Sequence, residues 1–445
     1  MSQIKVEIKV DDALTYTFLE EEGLIEGFSL SRSMDDDISA ICANVICGEV
    51  NISFSNLFNE FNILLGSSPY SQLKNGQELK VYSISENGTY TLFSGYIVDF
   101  TAPTSTSTQS CNVRAVDRLH ALLNSNLTAN ENIQVEKSKT FFEYITALFA
   151  AYGVVGDDLE IDEDLRQIIL DFSLLSGKTL SEQLNELCKA TDSYIYVNRV
   201  GRVIVKCKSI TGVSVKTYTR TDNDNYLVSS EYGYSLFSSY NSLRVGYIAA
   251  KVSEVKSLLT IGNQAVQPGE NILNNFDLGI SNLYELDSIK IISSSDTTIS
   301  SISSTASSIS LTLTNPTTED DIVEIEVFGK TIETADAYVI KSIESEKTEQ
   351  SLEVKSLLVQ SKVYAEGLAE KLYIRASEPI PYIKAEVEVQ DFPIDLGYIV
   401  TILDEEAELE YVGYIHSIDV EYDGQGFSYF TLGIKALYKE VDGNE

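Results

Sequence analysis

Residues 79–100 read LKVYSISENGTYTLFSGYIVDF. Apolar and polar side chains alternate on both sides of Glu86-Asn87-Gly88, and alternation with a period of two marks a half-buried strand. Asn-Gly tolerates positive φ at both positions, as a tight hairpin turn requires. The segment therefore predicts an antiparallel hairpin. Upstream, IKVEIKV (4–10) and LTYTF (14–18) alternate in the same way. Downstream, the loop APTSTSTQS (102–110) leads to another strand, CNVRAV (111–116), and then to the short helix DRLHALLN (117–124), which Asp117 is placed to cap.

Between about residues 124 and 208 the texture changes. KTFFEYITALFAAYG (139–153) reads as an apolar-faced helix with Gly153 just past its end. In KTLSEQLNELCKATD (178–192), Thr179 and Glu182 form a capping box, and Leu180, Leu184, Leu187 and Cys188 share a face. YIYVN and VIVKCK then flank the turn Arg199-Val200-Gly201-Arg202, which completes a small α+β unit. Strands resume at VSVKTYT (213–219), with a pairing partner expected in YNSLRVGYIA (240–249).

The serine-rich run 293–315 has a linker composition, but Ile299, Ile302, Ile309, Leu311 and Leu313 punctuate it, which favours strands with polar faces. DIVEIEVFGKTIE (321–333) is an alternating strand expected to close at Gly329. A long helix is expected between about 349 and 376, through Leu357, Leu358, Val363, Leu368 and Leu372, with Pro379 stopping it. Strands return in IKAEVEVQ, GYIVTIL, LEYVGYIHSIDVEY and FSYFTLGIKALY, the last two separated by a turn at Asp423-Gly424-Gln425-Gly426.

Composition narrows the function. The 445 residues suggest roughly three domains at about 150 residues each. A hydrophobic content of 43% supports real cores. With 67 acidic against 32 basic residues the net charge is −35, spread along the chain, which repels nucleic-acid phosphates and anionic membranes. Sequence-specific nucleic-acid binding is not expected. The N-terminal stretch has no signal-peptide pattern, and no run of about 20 apolar residues could span a membrane. Cys42, Cys47, Cys111, Cys188 and Cys207 are odd in number and form no CxxC pair, so buried reduced thiols are expected and no metal or cofactor is.

Catalytic patterns are absent. His120 and His416 each sit among structural residues, and no GxSxG, P-loop or GxGxxG occurs. The carboxylate clusters Asp35–Asp37, Asp157-Asp158, Glu319-Asp320-Asp321 and Asp404-Glu405-Glu406 read as solvated turn or rim residues. With no tryptophan, sugar platforms are not expected. Asp222-Asn223-Asp224-Asn225 lacks the glycine and distal glutamate of a calcium loop. The 26 tyrosines and 17 phenylalanines, Tyr82, Tyr90, Tyr96, Tyr232, Tyr234, Tyr411 and Tyr422 among them, read as sheet material.

Several of these stretches together resemble the phage tail hub, or baseplate hub-like tail-tip, family. FSGYIVDF followed by CNVRAVDRLHALLN is similar to the exit of its first domain, through Gly95, Ile97, Asp117, Arg118 and Leu119. KTLSEQLNELCKATDSYIYVNRVGRVIVK resembles its middle domain. SLTLTNPTTEDDIVEIEVFGKTIE is similar to a hub insertion through Asn315, Pro316, Thr317, Gly329, Lys330 and Ile332. The run from VYAEGLAEKLYIRASEPI to DFPIDLGYIVTI resembles its last segment, departing at Tyr398, where an aspartate is usual.

The resemblance, whose order covers nearly the whole chain, implies a β-rich α+β multidomain fold: two small antiparallel β-barrels, a helix-hairpin α+β domain between them and an inserted β module. The expected units are 1–123, the tube-facing barrel; 124–210, the α+β domain; 211–250 plus 345–440, the second barrel with its long helix; and 251–344, a sandwich-like insertion. The implied function is a non-enzymatic virion component, assembled in the host cytoplasm. It would be a homotrimer joining the sixfold tail tube and distal tail proteins to threefold spike, fibre or tip proteins, with the tape measure protein as a further partner, and would line the DNA exit channel. With KEVDGNE following soon after the last expected strand, no lytic or receptor-binding extension is expected, and any such activity is expected of a partner chain. A host-surface adhesin module and a β-rich carbohydrate-active enzyme are the alternatives.

Overall fold

The computed structural model describes residues 3–34, 45–58, 60–62, 66–85, 88–102, 110–124, 137–172, 178–208, 210–222, 225–234, 241–280, 282–293, 295–342, 351–377, 381–389, 394–422 and 430–437. The alternating N-terminal segments become β1 (Gln3–Lys9), β2 (Thr15–Leu19), β3 (Ile25–Ser33), β4 (Glu49–Ser55), β5 (Glu78–Ser85), β6 (Gly88–Thr101) and β7 (Ser110–Val116). Ser85 stands opposite Gly88, so the β5–β6 hairpin forms as expected, although Glu86 and Asn87 lie outside the described residues. The order β2-β1-β5-β6-β7-β4-β3 makes a half-barrel that does not close on itself. Its inward positions, including Ile4, Val6, Phe54, Leu79 and Val81, are buried, and Phe61, Tyr70 and Leu73 from the β4–β5 connection pack into the same core.

Next come α1 (Arg118–Leu123), β8 (Lys137–Thr140), α2 (Phe141–Ala151), β9 (Leu159–Ile161), β10 (Ile169–Phe172), α3 (Leu180–Thr191), β11 (Ser193–Val197) and β12 (Val203–Cys207). The caps read from sequence are in place. Asp117 accepts from the His120 amide, and Thr179 and Glu182 cap each other reciprocally at α3. Thr140 and Glu143 form a second capping box at α2, and Gly153 follows that helix with φ +76°.

Beyond β13 (Lys216–Thr219) and β14 (Asn225–Tyr234) the chain makes a long excursion through β15 (Ser242–Val252), β16 (Lys256–Val266), β17 (Gly269–Asp277), β18 (Leu283–Ser293), β19 (Thr298–Ser304), β20 (Ser308–Asn315), β21 (Asp321–Ser342) and β22 (Ser351–Lys355). The serine-rich run does form strands, β19 and β20. β21 does not close at Gly329. It continues for 22 residues, its first half between β16 and β18 and its second half against β15. A Cβ at Gly329 would come 2.6 Å from the Glu285 carbonyl and 2.7 Å from Leu258, so this glycine lets neighbouring strands approach instead of ending one. The sheets β16-β21-β18 and β17-β20-β19 enclose a separate core of Val266, Leu278, Ile309, Leu311, Leu313, Val323, Ile325 and Val327.

Two expectations fail here. β13 pairs with β14 and β24, both in parallel, and β15 pairs with β21 and β22. Alternation reports which face a strand buries and is silent on its neighbour. The long helix, α4 (Lys362–Ser377), starts later than expected, because residues 351–355 form β22 and Leu357 and Leu358 precede the helix. Val363 is 78% exposed, whereas Ala365, Leu368, Ala369 and Leu372 are buried; α4 packs on β15 and β21. Pro379 and the 423–426 turn lie outside the described residues.

The chain ends in β23 (Pro381–Val389), β24 (Ile399–Asp404), β25 (Leu409–Tyr422) and β26 (Phe430–Ala436). With β13 and β14 these close a six-stranded barrel, ordered β14-β23-β26-β25-β24-β13. Tyr218, Leu227, Ile383, Val387, Val400, Ile402, Leu432 and Ile434 are buried in its strands. A barrel this small is a packed core, not a conduit. β25 carries β24 along its first half and β3 along its second, so barrel and half-barrel share one 13-stranded sheet.

Candidate functional site

The fork where β3 and β24 meet along β25 is held by charge. Phe28, Leu30 and Arg32 are successive inward positions of β3, so a guanidinium occupies an apolar phase. Arg32 Nη1 donates to Asp395 Oδ1 at 2.6 Å, and both residues are buried. Asp395 Oδ2 accepts the backbone N–H of Arg199, in the β11–β12 turn, at 3.0 Å. One carboxylate thus ties the half-barrel, the α/β unit and the closed barrel together. Gly397 makes the adjoining turn with φ +78°, and its N–H donates to the Ile415 carbonyl. Nearby, the hydroxyls of Tyr194 and Tyr414 lie 2.9 Å apart. Arg375 of α4 grips Asp192, the αL cap of α3, at 2.8 and 2.6 Å. Burial depresses the Arg375 pKa, but Asp192 beside it outweighs that and raises it. These contacts fasten the three units to one another.

Burial also governs the histidines and cysteines weighed as candidates for chemistry. His416 is buried on β25, and burial, then Lys435 and Lys208, drive its pKa down to about 2, which leaves it neutral; among the described residues its Nε2 has no partner. His120, half-buried on α1, is pushed below its ordinary value by burial and then by Arg114. Burial lifts the Cys111 and Cys207 thiols to about 12, so neither is a ready nucleophile. Cys42, Asp35–Asp37 and residues 223–224 lie outside the described residues.

The solvated-rim reading is corrected at two carboxylates. Asp404 is buried, bonded by Arg220 at 3.1 and 3.2 Å and by Ser230 at 2.7 Å, and these donors hold its pKa well below the usual carboxylate range. Asp321 is buried against Thr297 at 2.6 Å. Each bonds across strands that sequence proximity does not reveal. Among the described residues no three His, Cys, Asp or Glu side chains converge as metal ligands.

A second feature is broad and exposed. Residues directly opposite in a ladder share a face. One row of such partners runs Ser229, Glu386, Thr431, Asp419, Ser31, Glu49, from the closed barrel across the fork into the half-barrel. A parallel row runs Glu421, Ser29, Asn51, Arg114, Asp99. All of these side chains reach solvent and none is apolar. Ser31 donates to Asp419 at 2.6 Å, Ser229 to Glu386 at 2.8 Å, and Arg114 pairs with Glu49 at 2.6 Å. A hollow of about 400 Å³ opens on this sheet beside Asn51, Ser53, Asp99, Thr101, Asn112 and Arg114. Five carboxylates against one guanidinium in the two rows make the face acidic.

No protein-family model matches the sequence, and no curated protein matches it. Solved structures do match. The tail protein from Neisseria meningitidis MC58 superimposes with a TM-score of 0.56 at 8% identity, over 98% of this chain and 96% of that one. The 43 kDa tail protein of prophage MuSo2 from Shewanella oneidensis gives 0.54 at 11% identity, over 98% of both chains. The chain has the fold of phage tail proteins. Within this chain the resemblance-bearing residues make structural contacts. Gly95 admits the Val116 carbonyl, Asp117 caps α1, and Asn315 Nδ2 clamps its loop through the Val266 and Glu319 carbonyls at 3.1 and 2.9 Å. Tyr398 sits in the strand-entry turn, its N–H bonded to the Asp395 carbonyl.

Proposed function

We propose that this chain is a structural hub of a phage or phage-like tail tip or baseplate, without catalytic activity, carried in the virion and assembled in the host cytoplasm. The observation that carries the reading is the fusion of a half-barrel and a closed barrel into one sheet through β3 and β25. Three chains in a ring would present six related strand units to a sixfold tail tube and its distal tail proteins. On the other side they would present three copies to spike, fibre or tip proteins, with the tape measure protein as a further neighbour. Closed rings of this kind also cover strand edges. The units 1–123, 124–210, 211–250 with 345–440, and 251–344 are the proposed domains of this hub, the insertion narrowing to 254–330 beyond the stem that β15 and β21 make.

The acidic rows that cross the fork on this sheet face suit the wall of the DNA exit channel, since like charge keeps a polyanion from adhering. Reconstruction of the assembled tail tip tests the proposal. Three copies per ring, with Asp419, Glu386 and Glu49 turned to the lumen, are expected. Six copies, or a basic lumen, would refute it.

A further inference from the structure

Phe58 is the only exposed phenylalanine among the described residues, at 82%, and its neighbour Leu57 is 54% exposed. A mobile loop could leave them so by default, but this turn is pinned at both ends. Ser55 N–H donates to the Leu24 carbonyl at 2.8 Å, Asn56 Oδ1 accepts the Phe61 N–H at 3.1 Å, and Tyr70 N–H donates to the Glu60 carbonyl at 3.0 Å. Phe61 is stacked on Phe54 at 5.2 Å and on Phe18 at 5.7 Å. The chain enters and leaves the core on either side of Leu57-Phe58 and holds the pair outward. An apolar knob with its ordering cost already met is a preorganised binding element.

Its surroundings define what it fits. Glu20, Glu21 and Glu22 precede Leu24, to whose carbonyl Ser55 is bonded, and Glu60 follows Phe58 by two residues. Burial and then Glu60 and Glu22 raise the pKa of Tyr70, which places both carboxylates at this end of the half-barrel. None of these four glutamates pairs with a cation among the described residues, whereas Lys5, Lys9 and Lys80 of the half-barrel pair with Glu7, Asp12 and Glu78. Glu60 and Glu22 thus stand with the knob at this end of the half-barrel, while Glu20 accepts the Ile4 N–H and Glu21 the Gln3 side chain, so the described charge on this side is negative. A second copy of a chain of net charge −35 is a poor complement, and so is an anionic membrane.

We infer that Leu57-Phe58 is a docking knob for a different polypeptide, one with an apolar socket rimmed by lysine or arginine. The test replaces Phe58 with the photo-crosslinking residue p-benzoyl-phenylalanine in the full chain, in cells that natively express it. The same substitution at Val213, also exposed, is the control. The expected result is one dominant adduct to another polypeptide, mapped to an apolar segment with Lys or Arg beside it. Phe58→Ser should weaken that complex about tenfold or more while leaving thermal unfolding unchanged. Glu20→Gln/Glu21→Gln/Glu22→Gln should weaken it less and flatten its salt dependence. An adduct to a second copy, to lipid or to a cation-free surface overturns the inference, as does a yield no greater than that of the control. Absence of the chain from purified tail particles would instead refute the hub proposal, and the adduct is read independently of it.

Discussion

Val252 stands directly opposite Ile332, the last rung of the β15–β21 ladder before the chain departs into the inserted sandwich. One residue further, the Ser253 N–H donates to the Thr331 carbonyl at 2.8 Å and the Thr331 N–H donates back to Ser253 Oγ at 2.9 Å. The two strands therefore form a hairpin stem whose loop has grown into a module with its own core. Replacing residues 254–330 by Asn-Gly should leave a folded chain, because the ladder is already closed at that rung. Calorimetry should show two transitions for the full chain and only the main one after excision. An unfolded product would show that the module is required for the body to fold.

Asp395 serves three units at once, so its removal should be felt globally. Asp395→Ala leaves the Arg32 guanidinium buried without its partner and is expected to cost about 3–5 kcal/mol. Denaturant unfolding checks the value. Arg32→Met combined with Asp395→Leu should cost clearly less than the sum of the single changes, because neither charge is then stranded. Additive costs would rule out the coupling.

His416 makes acid unfolding predictable in sign. Its folded pKa, about 2, lies far below the ordinary value of 6.5, so the unfolded chain takes the proton first. Its contribution to stability is fully present above about pH 6.5 and drains away as pH falls, by up to about 1.4 kcal/mol per pH unit. His416→Phe keeps a ring against Tyr194 and should flatten the stability profile between pH 6 and about 3. An unchanged slope in paired denaturation series would disprove the assignment.

Gly95 has little room to change. A Cβ there would lie 2.2 Å from the Val116 carbonyl oxygen and 2.7 Å from the Phe93 ring. Gly95→Ala must part β6 from β7 at the hairpin's exit, at a cost of about 1–3 kcal/mol or more. Gly76→Ala, where nothing lies within 4 Å, has space for the methyl but takes up φ +87°, and it should cost less than the crowded site. Melting temperatures of the two variants give the comparison.

By itself the sequence determined what is local. The period of two in LKVYSIS and CNVRAV, the hairpin of β5 and β6, the capping box of Thr179 and Glu182 and the isoleucines of the serine-rich run each fix a strand, a hairpin or a cap through neighbours a few residues away. The absence of catalytic motifs and the net charge were equally plain there. Tertiary structure alone decided the partners. β13 turned from β15 to β24, β21 exchanged neighbours in mid-strand, and the half-barrel closed onto β25 instead of onto itself. Alternation is the same whichever edge a strand meets, so register and neighbour are set by long-range packing. The buried ions were only half legible. Arg32 in an apolar phase is a signal the sequence carries but that went unread, and Asp395, 363 residues away, could be matched to it only once β3 and β24 met at the fork.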